Sequence, residues 1–222
     1  LKITDGEHIT PPMIESGVPL LSAKDVQTHY LGFDQCRYIS RDVAEKALSR
    51  CNPNRNDILI VSRGATVGRT HRVRIEREFC LMGSVLLIRP NPELVLPQFL
   101  EISFISVEGQ RQLVATSGSS AQQAIYIRDV KSYSLELPSL EEQTEIIRRV
   151  EQLFAFADQL EAKVASAKSR IDHLTQSILA KAFRGELVPQ DTNDEPASVL
   201  LERIQAQRAA APKAKRGRKA SV

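Results

Sequence analysis

With 222 residues, the chain has room for one domain of ordinary size and something beyond it. Its formal charge of +3 arises at the end of the sequence: residues 205–222 carry six Lys or Arg and no acid, leaving 24 basic against 27 acidic residues, or −3, for residues 1–204. There is no signal-peptide pattern and no apolar run long enough to span a bilayer. Cys36, Cys51 and Cys80 form no Cys-x-x-Cys and read as core residues of a reduced, cytoplasmic protein, not as zinc ligands.

The chain opens at Leu1 without an initiator methionine, which predicts a piece of a longer polypeptide. Leu1 to Pro12 is polar and turn-rich, and its Thr4, His8 and Thr10 are candidates either to contact a ligand or to form a plain surface turn. Val18 to Ser22 predicts a short strand. Ser40 is placed to cap a helix from Arg41 to Arg50, and Asn52-Pro53-Asn54 breaks the chain after it. Ile58-Leu59-Ile60-Val61 is a continuous apolar run of strand length, as expected for a strand buried on both faces.

A glycine-flanked loop, Ser62 to Arg69, follows that strand and opens the most basic stretch of the folded part: Arg63, Arg69, Arg72, Arg74 and Arg77, offset by Glu76 and Glu78. Glycines at 64 and 68 permit close backbone approach to a ligand, and guanidinium groups bind phosphates or pair with a guanine edge. With Thr66 they make the loop a candidate nucleic-acid contact; a hairpin with merely solvated arginines is the alternative. A nucleotide phosphate loop is weak here, since the Gly-Lys-Ser/Thr ending is missing.

Val85 to Ile88 predicts a second buried strand and Gln98 to Ser106 a helix that continues toward Ala115. Next comes Ser117-Gly118-Ser119-Ser120-Ala121-Gln122-Gln123, rich in hydroxyl and amide groups. Glutamine pairs with adenine N6 and N7, so Ser117, Ser119, Ser120, Gln122 and Gln123 are candidates for a reading loop. Tyr126-Ile127 and Ser134 to Leu137 are expected to close the domain as short strands.

From Ser139 to Arg184 a single long helix is predicted. Ser139 stands at the N-cap with Glu142 three residues on, Pro138 precedes it, and Gly185 supplies the stop. Ile146, Val150, Leu153, Ala157, Leu160, Val164, Ala167, Ile171, Leu174 and Ile178 alternate steps of four and three, the heptad of a coiled-coil seam. Such a seam needs a partner helix, and residues 1–138 offer no second heptad run, so the partner is expected from another chain or from outside these residues. A helix within an intramolecular bundle is the less specific alternative. Beyond Gly185 the sequence predicts an acidic loop, a short amphipathic helix from Ser198 to Gln207, and a disordered basic tail acting as an electrostatic tether. The expected class is α+β: a mixed domain over 1–138, a helical region over 139–207 and a tail over 208–222.

The order of these signals resembles one family. Val18-Pro19-Leu20-Leu21-Ser22, Asn56-Asp57-Ile58-Leu59 leading into Gly64-Ala65-Thr66-Val67-Gly68, Leu87-Ile88-Arg89-Pro90 and Ser117-Gly118-Ser119 are similar to a target recognition domain. Leu137-Pro138-Ser139-Leu140-Glu141-Glu142-Gln143, the long helix, and Ala182-Phe183-Arg184-Gly185-Glu186-Leu187 resemble the helical region of DNA specificity subunits of type I restriction-modification enzymes. The resemblance implies a non-catalytic reader of double-stranded DNA. Complete subunits hold two recognition domains and two helices paired antiparallel, each domain reading half of a split site. Methyltransferase subunits using S-adenosylmethionine and motor-nuclease subunits using ATP and Mg join them. This chain has one domain and one helix, so its second half is either elsewhere in a longer chain or a second copy. The family's recognition loops map onto Thr4 to Thr10, Arg63 to Arg74 and Ser117 to Gln123.

The residues agree on chemistry: there is no Asn/Asp-Pro-Pro-Tyr/Phe, no Gly-x-Gly cofactor loop after a strand and no metal-nuclease constellation. A reading of another class, a coiled-coil scaffold with a protein-binding head and a basic tail held near nucleic acid, also fits the helix. Steep salt dependence of duplex binding would separate the two.

Overall fold

The computed structural model describes residues 1–115, 123–189, 191 and 193–210. The chain divides into two compact units, Leu1–Phe156 and Ala157–Val222.

In the first unit, β4 (Ile58–Val61) and β7 (Val85–Arg89) pair antiparallel at the centre of a four-stranded sheet. β1 (Lys2–Asp5) adds to the far side of β7 and β5 (Thr70–Arg72) to the far side of β4, giving the order β1-β7-β4-β5. Because side chains alternate along a strand, the apolar run of β4 feeds two cores. Leu59 and Val61 join Leu21, Phe79, Leu81, Val85 and Leu87 on one face. Ile58 and Ile60 join Leu86, Ile88, Phe99, Leu100, Phe104 and Leu113 on the other. The expectation of a strand buried on both faces holds, with all four residues of β4 fully buried.

A second sheet, order β3-β2-β6, lies over the first face. β2 (Val18–Leu21) pairs antiparallel with β3 (Arg37–Ile39) and parallel with β6 (Cys80–Leu81). Leu21 and Leu81 point into the core shared with β4, whereas Leu20 and Cys80 pack with Ala44 and Ala47 of α1 (Arg41–Arg50). The opposite face of the larger sheet is covered by α2 (Pro97–Ile105), α3 (Val107–Ala115), α4 (Ile127–Lys131) and the start of α5 (Leu140–Phe183), whose Ile146 and Ile147 are half-buried against that core. The three cysteines are free and buried. Burial pushes the Cys51 thiol up to about 12 and the Cys80 thiol up to about 11, which keeps both protonated and inert.

Two motifs distant in sequence are joined here. Asp57, almost fully buried, accepts from Arg89 Nε at 2.8 Å and from Arg89 Nη2 at 2.7 Å, a two-pronged pair that ties β4 to β7. Asn54 N–H adds a third bond to the same carboxylate at 2.7 Å.

Three sequence expectations are corrected. Lys2–Asp5 is a strand and not part of a loop: with Ile3 alone to mark it, its stability comes from pairing with β7. Tyr126-Ile127 is not a strand, because Asp129 Oδ2 accepts the Tyr126 amide at 2.7 Å and starts α4. Ser134–Leu137 carries no strand pairing.

The long helix runs as predicted over Leu140–Phe183, 44 residues and about 66 Å at the usual rise per residue. Ser139 Oγ accepts the Glu142 amide at 3.3 Å, and Glu141 and Glu142 complement the positive end of the helix dipole. At the other end Gly185 takes a φ of +72°, and Glu186 N–H and Gly185 N–H donate to Lys181 O and Ala182 O at 2.9 and 3.0 Å, closing the last carbonyls. The seam residues Leu153, Leu160, Val164, Ile171, Leu174 and Ile178 do not bury: Ile171 is 64% and Val164 69% exposed in the second unit, and Leu153, which precedes the unit boundary, is 68% exposed. α6 (Ala197–Ala210) follows, three residues longer at its end than predicted.

Candidate nucleic-acid interface

The antiparallel order of the larger sheet brings four chain reversals to one end of it: the segment after β1, the loop after β4, the turn before β7 and the segment entering α4. Backbone bonds lace them together. Glu7 N–H donates to Leu81 O at 2.8 Å and Gly83 N–H to Glu7 O at 2.7 Å. Ser62 N–H donates to Ser84 O at 2.9 Å, and Ile125 N–H donates to Ser62 O at 2.9 Å. Arg63 and Ala124 form an isolated antiparallel bridge. Glycine is needed at two points: Gly64 and Gly68 sit at φ +101° and +86°, and they close the loop through Val67 N–H to Gly64 O and Gly68 N–H to Val61 O.

Sequence reasoning placed DNA contacts in three separate stretches, and this lacing sets their described parts side by side. His8 and Thr10 are exposed after β1, Arg63 is exposed and Thr66 half-buried in the glycine loop, and Gln123 is exposed next to Ala124. His8 Nε2 lies 2.9 Å from Asp5 Oδ2, and Arg50 Nη2 reaches the other oxygen of Asp5 at 2.6 Å, so this carboxylate is neutralised from within the fold. Thr4 lies elsewhere: it is in β1 opposite Leu87 and half-buried. Ser117, Ser119, Ser120 and Gln122 fall outside the described residues.

The remaining arginines of the basic stretch are engaged internally. Arg69 Nη1 donates to Gln27 Oε1 at 2.8 Å and Val26 O at 3.2 Å. Arg72 Nε donates to Glu101 Oε2 at 3.0 Å, its backbone N–H to Glu101 Oε1 at 3.0 Å and its Nη1 to Asn56 Oδ1 at 3.0 Å. Arg74 Nη2 donates to both oxygens of the same Glu101, at 2.9 and 3.1 Å. Glu101 is the one charged residue of α2 and is buried. A single acid in an otherwise uncharged helix, with an arginine surplus elsewhere, was the signal in the sequence for a pairing of this kind. Sequence reasoning also missed Tyr126 and Arg128, which stand beside Arg63: both guanidinium groups lie over the Tyr126 ring, at 5.9 Å for Arg63 and 4.8 Å for Arg128.

A family model for the type I restriction modification DNA specificity domain matches residues 16–167. The chain is 39% identical over 214 residues to the type I restriction enzyme EcoBI specificity subunit of Escherichia coli, covering 93% of this chain and 45% of that protein. It is 36% identical over 222 residues to the EcoKI specificity subunit of Escherichia coli strain K12, covering 93% and 47%. The chain thus spans about half the length of these relatives. Among solved structures, one described as the structural basis of complex assembly and conformational transition of the type I R-M system superposes with a TM-score of 0.63 at 23% identity, over 83% of this chain and 44% of that one. At that identity the likeness concerns the fold.

Proposed function

The chain belongs to the type I restriction-modification DNA specificity family, and from that premise we propose that its domain over 1–138 reads one half of a bipartite duplex target. The observation that carries this reading is the convergence of His8, Arg63, Thr66 and Gln123 at one end of the larger sheet. Arg63 supplies charge for the phosphate backbone, while the Gln123 amide and the His8 ring supply hydrogen bonds to base edges. The segment over 139–207 is the spacer and the pairing element. Its exposed heptad seam, Val150 to Ile178, packs as a coiled coil on a second such helix, from the same longer chain or from a second copy. Methyltransferase and motor-nuclease subunits dock on that assembly and do the chemistry; the basic tail over 208–222 adds sequence-independent attraction to DNA.

The test maps methylated adenine across the genome in cells that make the full-length protein containing this chain with its methyltransferase. In the comparison cells, Arg63, Thr66 and Gln123 are all changed to Ala. A split motif that loses definition in one half is the expected result. Methylation that keeps its motif overturns the assignment of this sheet end to DNA reading.

A further inference from the structure

Arg63 and Arg128 come from different segments, the loop after β4 and helix α4, yet both lie over the ring of Tyr126. The backbone that carries that ring is held in place: Asp129 Oδ2 accepts the Tyr126 amide at 2.7 Å, and the Arg63–Ala124 bridge fixes the segment entering α4. Arg63 makes no ion pair among the described residues, and the neighbouring stretch 116–122 contains no Asp or Glu. The nearest acid to Arg128 is Asp129, with Nε to Oδ1 at 3.6 Å; that carboxylate is buried, whereas the Arg128 side chain is 80% exposed. Two guanidinium groups held near one exposed ring repel each other, and cation–π contact at an exposed site offsets little of that. An anion placed against both arginines would offset that repulsion. A guanidinium carries its N–H donors in a fork geometry that suits a phosphate oxygen pair.

We propose that Arg63, Tyr126 and Arg128 form a clamp for the phosphodiester backbone of duplex DNA beside the reading loops. Arg128 contacts phosphate and Tyr126 positions the two arginines; neither reads a base. This rests on the DNA-reading function proposed above and adds Tyr126 and Arg128 to it.

The experiment measures binding of the full-length protein with its methyltransferase to target and non-target duplexes, by fluorescence anisotropy at several salt concentrations. Arg128→Ala is expected to weaken both duplexes by the same factor and to reduce the slope of log affinity against log salt by about 0.9, the loss of one phosphate contact. Arg128→Lys keeps the slope. Tyr126→Ala, with both charges present, weakens binding but leaves the slope unchanged, and Tyr126→Phe binds as the parent does. Arg128→Ala with an unchanged slope, or with an altered methylation motif, overturns the clamp. If Arg63→Ala weakens binding while the Tyr126 and Arg128 variants bind normally, the clamp alone fails. If the unmodified protein shows neither target preference nor salt dependence, the reading function fails with it.

Discussion

Arg72 and Arg74 share one carboxylate, Glu101, so their setting differs from that of Arg63 although all three belong to one basic stretch. Arg72 is mostly buried, with its charge on Glu101. Arg72→Ala is expected to leave Glu101 without its more buried partner and to lower stability by about 2 kcal/mol, the range for hydrogen bonds to charged groups. Urea unfolding measures this, and the salt slope of DNA binding by the folded variant stays at the parent value. Loss of slope with no loss of stability would return Arg72 to the DNA surface. The neighbouring His71 adds a pH dependence. Burial, aided by the Arg74 charge and opposed by the bond between its Nδ1 and Thr28 O, lowers its pKa below 6.5. The unfolded chain then binds the proton more readily, so this stability is present above about pH 6.5 and lost as pH falls through the folded value. Between about pH 7.5 and 5.5 the urea midpoint of the parent should fall more than that of His71→Gln, and equal falls would remove His71 as the cause. The lone acid of α2 signalled a pairing, but which arginines it meets was not readable, because Glu101 and those arginines are 27 and 29 residues apart.

At the scale of elements, what was legible in the sequence is what a single segment determines by itself. The runs Ile58–Val61 and Val85–Ile88 carry their own burial signal, and α5 carries its cap, its stop and its heptad. β1, β3 and β6 were illegible because each is short and exists only through a partner distant in the chain. The Leu-Pro opening of α5 was recognised as a motif, but the reason for its final glutamine comes from packing. Gln143 is fully buried. Its Oε1 accepts Leu96 N–H at 2.8 Å, and its Nε2 donates to Leu94 O at 3.0 Å and Pro138 O at 2.9 Å. One amide therefore satisfies three backbone groups at the point where the domain meets the first turn of the helix. Gln143→Leu keeps the volume and orphans those groups, and it should cost about 3 kcal/mol in urea unfolding. A cost near zero would mean that water or a relaxed backbone replaces all three bonds.

For the whole molecule, the function proposed depends on a length. The candidate site was legible as three loops of suitable chemistry, and their convergence at one sheet end needed the strand order to appear. The heptad spacing was legible outright, since its period is a property of α5 alone, and Leu153 to Ile178 stay exposed in the chain. If that seam pairs with a second helix, the number of heptads sets the distance between the two reading domains and hence the spacer between half-sites. Deleting Ser166 to Asp172 removes one heptad while keeping Val164 in phase with Leu174, so the seam survives and the helix shortens by about 10 Å, the rise of seven residues. That is about three base pairs of duplex at 3.4 Å each. The methylated-adenine motif of the deletion variant is expected to keep both half-site sequences and to lose about three bases of spacer, and an unchanged spacer would show that the helix does not set the distance. A change in the half-sites themselves would locate base reading partly in the helix, against the assignment of His8, Arg63, Thr66 and Gln123.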